Sequence, residues 1–230
     1  MDSVLNQYSP KVILLDLVVY ISVMFLIREV VISDVGFIAN GLFHSLTTLV
    51  VATWILKSRA VTWNDLGLNR AQSFKKTILV TGFILLCTPL SIMLFQLVKD
   101  LLPIVLAPDT SEQSSVSRFG DLEGNWLLLF SILPFIWLES FLEELLDRGF
   151  LLNWFERLFS KTSMATILAV IFQAMIFGFR HSYDLSERSI NVGLIGLVMG
   201  IAYVTFGRKL WPLILAHCIF NTMSMLERVL

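Results

Sequence analysis

The chain has 230 residues, 56% of them hydrophobic and 15% charged, with a mean hydropathy of +0.78. A water-soluble domain carries about 25% charged residues, so this chain has too little polar surface to cover itself in water and reads as an integral membrane protein. Its formal net charge of −1 excludes the basic excess on which nucleic-acid binding depends.

A membrane-crossing helix needs about 20 mostly apolar residues. In chain order the apolar runs are 12–27, 36–56, 77–98, 126–159, 164–180, 190–206 and 211–226. No small-residue cleavage site follows the first run, which therefore reads as a retained span. The run at 126–159 is interrupted by Pro134 and by a charged cluster. It is either one tilted, kinked span or two short ones. The expected fold is an all-α, polytopic transmembrane helical bundle of seven spans, or eight if that run divides, forming a single domain over 1–230. Cys87 and Cys218 lie far apart in apolar runs and read as small buried hydrophobes, not as a disulfide or metal clamp.

Two connectors are long and polar. The one at 57–76 holds Lys57, Arg59, Arg70, Lys75 and Lys76 against the single acid Asp65, whereas 99–125 has more acids than bases. With seven spans and a cytoplasmic N-terminus, eleven of the 17 lysines and arginines fall on inside segments, Arg148 included, and six outside. The positive-inside rule favours that orientation. Trp54, Trp63, Trp126, Trp154 and Trp211 lie near span ends, where an interfacial belt is expected.

The charged cluster is FLEELLDRGF, residues 141–150. Each unpaired charge inside a bilayer costs about 2.5–3.5 kcal/mol, so these side chains need partners. Glu144 and Arg148, four apart, share a helix face, while Glu143 points about 100° away. One carboxylate can therefore brace the arginine and leave the other to face a cavity. Glu139 and Asp147 lie one turn to either side of Glu143. A cytoplasmic helix end with solvated charges is the plainer reading of the same stretch.

Two further polar intrusions follow. In IFQAMIFGFRHSYD, Phe177 precedes His181 by one turn, and in WPLILAHCIFNTM, His217 and Asn221 share a face. Hydrocarbon offers these groups no hydrogen bonds, so they require partners within the bundle. His44 reads as structural. Asp16 reads as a near-end acid or as a contact to another helix.

Glu143-Glu144-x-x-x-Arg148, Phe177-x-x-x-His181 and His217-x-x-x-Asn221, in that order, resemble the motifs of the CAAX-protease and bacteriocin-processing (Abi) family of intramembrane proteases. The resemblance covers about 140–225. Gly149 fits it, as does LGL within TWNDLGL, residues 62–68; Asp147 departs from it, because members more often carry an aromatic residue there. The resemblance implies a glutamate-dependent protease without a covalent acyl-enzyme. In it Glu143 activates a water and His181 shares its proton, while His217 and Asn221 donate to the oxyanion, with Glu144, Arg148 and Phe177 in support. The expected substrate is a lipidated or membrane-associated peptide, and the plain seven-span form resembles bacterial members, placing the chain in a bacterial cytoplasmic membrane. No cofactor is expected in this scheme. The competing zinc version would use Glu143, His181 and His217 as ligands, although the chain has no H-E-x-x-H motif. A non-catalytic scaffold or immunity factor competes with both protease schemes, as does a proton-coupled transporter. One difficulty attends every scheme that joins the three motifs: simple span boundaries put Glu143 and His217 toward the cytoplasmic side and His181 near the outer end of its span.

Overall fold

The computed structural model describes residues 8–69, 73–102, 106–107 and 119–230. Arg70, Arg118 and much of the acidic 99–125 connector lie outside the described residues. The all-α expectation holds: among the described residues there are seven long helices and no strand. They are α1 (Pro10–Leu26), α2 (Phe37–Ser58), α3 (Phe74–Leu101), α4 (Trp126–Leu158), α5 (Ala165–Ser182), α6 (Glu187–Thr205) and α7 (Trp211–Val229).

Local chemistry explains several helix ends. Pro10 starts α1, where a missing N–H costs nothing. The Asn125 side chain accepts a hydrogen bond from the Leu128 N–H at 3.1 Å and caps α4. Tyr183, at φ 58, ends α5 in the left-handed region. The run at 126–159 is one continuous helix, so it does not divide into two spans; Pro134 is accommodated within it. Its single irregularity is a π-helical turn at Leu145–Leu151, all seven residues of which are buried.

Six of the helices, α1 to α6, are long and apolar enough to cross a membrane. The seventh, α7, falls short because Glu227 and Arg228 lie at its end and His217, Asn221, Thr222 and Ser224 lie within it. These polar residues require partners from the bundle rather than from lipid.

The tightest helix contact is α5 against α6, and small residues make it possible. A Cβ on Gly178 would lie 2.4 Å from the Ser189 carbonyl oxygen, and one on Gly196 only 3.0 Å from the Phe177 ring. Phe177 is thereby seated on Gly196, so the α5 face bearing both Phe177 and His181 is turned into the bundle.

One end of the bundle is closed by the connector 59–69. Arg59 makes two hydrogen bonds to Asp16, at 2.7 and 2.8 Å, so Asp16 contacts another helix. The Thr62 hydroxyl and N–H donate to Asp65 and hold its carboxyl below the usual carboxylate range. The Tyr203 hydroxyl donates to the Leu66 carbonyl at 2.8 Å and accepts from Asn153 Nδ2 at 3.0 Å. The Leu210 N–H donates to the Gly67 carbonyl at 3.2 Å. Gly67 has φ +99, and a Cβ there would sit 2.2 Å from the Arg208 carbonyl oxygen, so no larger residue fits. This connector therefore seats the start of α7.

Two sequence expectations need correction. Trp154 is not a belt residue: it is fully buried and its Nε1–H donates to Asp16 at 3.3 Å. Its membrane-end position is real, but the Asp16 acceptor draws it inward. Cys87 and Cys218 are free thiols, as expected, yet only half-buried, because parts of α3 and α7 face outward.

Candidate active site

The three motifs meet on the wall of one cavity of about 590 Å³. Glu143 is partly exposed to it, whereas Glu144, Asp147 and Arg148 have no exposed side-chain surface. The π-helical turn begins directly after Glu144. Such wide turns recur at functional sites.

The depth difficulty disappears once helix lengths are known. At about 1.5 Å per residue, Glu143 lies about 22 Å from the Leu158 end of α4 and His181 about 24 Å from the Ala165 end of α5. The two helices run antiparallel through a short connector, so the residues are level. His217 reaches the same depth because α7 starts inside the bundle. A Cβ on Gly149 would lie 3.4 Å from Leu210 Cδ1, which places the start of α7 beside a residue well within α4. His217 is seven residues further on, about 10 Å deeper.

The Glu143 carboxylate is the centre of the cluster. Its Oε1 lies 3.6 Å from His181 Nε2 and 3.3 Å from an Arg180 Nη2, and its Oε2 lies 3.4 Å from His217 Nε2. Each imidazole is oriented through its other nitrogen. His181 Nδ1 is 2.6 Å from the Phe177 carbonyl oxygen, which can only accept, so Nδ1 carries a proton and Nε2 faces Glu143. His217 Nδ1 is 2.7 Å from Glu144 Oε1. The same Glu144 oxygen accepts from Arg148 at 2.9 Å. Glu144 thus joins Arg148 to His217, a link that helix spacing alone does not reveal. The Arg148 guanidinium lies 4.2 Å from the Phe177 ring centre, a desolvated cation–π contact.

Asn221 lines the cavity one turn beyond His217. Its Nδ2 donates to Ser140 at 2.9 Å, and Ser140 in turn donates to the Ile136 carbonyl. One amide N–H of Asn221 and its oxygen are not used by that bond.

One site residue escaped sequence reading. Arg180 bridges Glu143 and Asp147, the latter at 2.6 Å. It sits beside His181 in the motif, and its signal was the otherwise unbalanced pair of Glu143 and Asp147. Asp147, read as a departure from the family, is thus the second partner of Arg180. Glu139 also faces the cavity, accepting from Ser45 at 2.7 Å. His44 has the structural partner expected of it, the Val30 carbonyl at 2.9 Å, and lines the same cavity. Among the described residues, no group of three or more His, Cys, Asp or Glu is arranged to hold a metal ion.

Fold and site together define a polytopic helical membrane protein with a carboxylate–imidazole–guanidinium cluster enclosed in its bundle. Residues 125–223 match the family described as Type II CAAX prenyl endopeptidase Rce1-like, a family of proteases. This is the CAAX-protease family that the three motifs resemble, and the matched segment contains all three of them. No curated protein and no solved structure matches the chain.

Proposed function

We propose that the protein is an intramembrane endopeptidase in which Glu143 activates a water to hydrolyse a peptide bond of a lipidated or membrane-associated polypeptide. The observation that carries this reading is the separation of the Glu143 carboxylate from both imidazoles, 3.4 and 3.6 Å. These gaps suit a single small molecule held by all three groups.

The water sits beside Glu143 and His181, within hydrogen-bond reach of both, and gives its proton to this pair as it attacks the carbonyl carbon. Asn221 donates to the developing oxyanion, joined by His217 when its Nε2 is protonated. Such donors, fixed before the reaction, stabilise charge as it forms. Glu143 then returns the proton to the leaving amine, and no acyl-enzyme forms. Glu144 acts through His217, whose ring it orients, and Arg148 holds Glu144 in place.

The Arg180 guanidinium favours the metal-free version. It already sets a fixed positive charge against Glu143, where a zinc ion bound by Glu143, His181 and His217 would be repelled. A bacterial cytoplasmic membrane is the proposed location.

A panel of lipidated and unlipidated peptides, incubated with the purified protein in detergent, tests the reading. Cleavage that survives a chelator and disappears with Glu143→Gln is expected. Stoichiometric zinc required for turnover would replace the mechanism, cleavage undiminished in Glu143→Gln would remove Glu143 from it, and no cleavage by the unaltered protein would leave only a scaffold.

A further inference from the structure

The two ends of the bundle differ in both charge and access. One end gathers the start of α1, the 59–69 connector, the turn between α4 and α5, and the start of α7. Contacts tie these pieces together: Arg157 donates to the Tyr8 carbonyl at 2.9 Å, Lys209 to Asn69 at 2.6 Å and Arg208 to Asn153 at 2.9 Å. The other end gathers the end of α1, the starts of α2, α4 and α6, and the ends of α5 and α7. Here Arg28 donates to the Arg180 carbonyl at 2.9 Å, Lys99 pairs with Glu187, and the Gly124 N–H donates to the Val229 carbonyl at 2.9 Å.

Among the described residues, and leaving aside Arg148 and Arg180 within the bundle, the first end holds nine bases: Lys11, Lys57, Arg59, Lys75, Lys76, Arg157, Lys161, Arg208 and Lys209. The second holds four: Arg28, Lys99, Arg188 and Arg228. The basic residues sit within a few positions of helix ends, where the positive-inside rule applies. The first end is therefore cytoplasmic.

The cavity opens at the other end. From Glu143 its wall runs to Arg28, Val31, Phe37, Tyr183 and Arg228. His181 is the second-last residue of α5, so the reacting groups lie just beneath the connector that follows it. Toward the cytoplasmic end the bundle is sealed by Leu66, Tyr203 and Leu210, each at most 1% exposed.

We infer that the active site is reached from the extracytoplasmic face, and that its substrate is an exported or membrane-anchored polypeptide presenting an unfolded stretch on that face. This rests on the protease reading for the word substrate, and on charge and cavity geometry for the side.

Cysteine accessibility tests it. Cys87 and Cys218 are replaced by serine, and a single cysteine is placed at Val31, an exposed residue on the cavity mouth, or at Ser163, exposed at the closed end. In right-side-out spheroplasts, a membrane-impermeant maleimide should label Val31→Cys fully and Ser163→Cys only after lysis. In sealed right-side-out vesicles carrying a cleavable substrate, labelling Val31→Cys should abolish cleavage, and the same treatment of Ser163→Cys should leave its rate unchanged. Labelling of Ser163→Cys from outside, or full cleavage after Val31→Cys is modified, overturns the inference. Labelling requires no activity, so a failed protease reading would not be mistaken for a failed orientation.

Discussion

The closed end of the bundle pairs most of its buried polar groups, Gln173 aside, whereas around the cavity several charged groups are only partly paired. At the closed end Asp16, Asp65, Asn153 and Tyr203 each have defined partners, several of them backbone carbonyls or N–H groups. Around the cavity, buried atoms of Glu139, Glu144, Asp147 and Arg180 make no hydrogen bond to protein. Leaving such groups underused costs stability. The comparison teaches that α7 is fixed from the closed end, which holds His217 and Asn221 in a site whose buried charged groups are themselves only partly satisfied.

Substitutions can break or sharpen this contrast. Glu143→Gln should slow cleavage by about 10²–10⁴-fold, the usual worth of a general base, with no loss of thermal stability in detergent. A destabilised protein would instead make Glu143 part of the scaffold. Arg148→Ala removes the cation from a fully buried pair and should cost about 3–5 kcal/mol, read as a lowered unfolding midpoint together with lost cleavage. An unchanged midpoint would show that Glu144 is supported without it. Gly67→Ala forces a Cβ against the Arg208 carbonyl and should cost about 3 kcal/mol. Because Gly67 seats α7, cleavage should fall further than lost stability explains. Gly124→Ala is the matching control at the other end. Its φ is +68, but no atom lies within 4 Å of the added carbon, so about 1 kcal/mol of backbone strain is expected, with the cleavage rate of the folded protein preserved. Asp16→Asn breaks the pair with the partly exposed Arg59 and should cost about 1 kcal/mol, again without changing that rate. A slowed turnover in this last variant would show that the two ends are coupled.

The fold class and the location of the site were legible because they rest on local signals. Apolar runs of spanning length mark helices, and polar residues inside those runs need partners wherever the helices pack. Assigning Glu143 and Glu144 to different faces needed only the helical repeat, and the structure does turn Glu143 to the cavity and bury Glu144. The depths were not legible, because they depend on where α7 begins relative to Gly149, a contact between residues far apart in sequence. The π-helical turn leaves no periodic signature, because its charged and apolar residues are buried alike. Trp154 was misplaced because a tryptophan near a helix end looks the same whether it faces lipid or Asp16. Arg180 was overlooked because its partners, Glu143 and Asp147, lie on the preceding helix.

The central claim is that a water held by Glu143 attacks the peptide bond directly. It is tested most directly by a single turnover with excess protein in heavy-oxygen water, followed by mass analysis of the amino-terminal fragment, which bears the new carboxylate, and by the same reaction with hydroxylamine added. The account predicts one solvent oxygen in that carboxylate from the first turnover and no hydroxamate. A first-turnover product carrying only unlabelled oxygen, or a trapped hydroxamate, would mean a covalent intermediate and would contradict it.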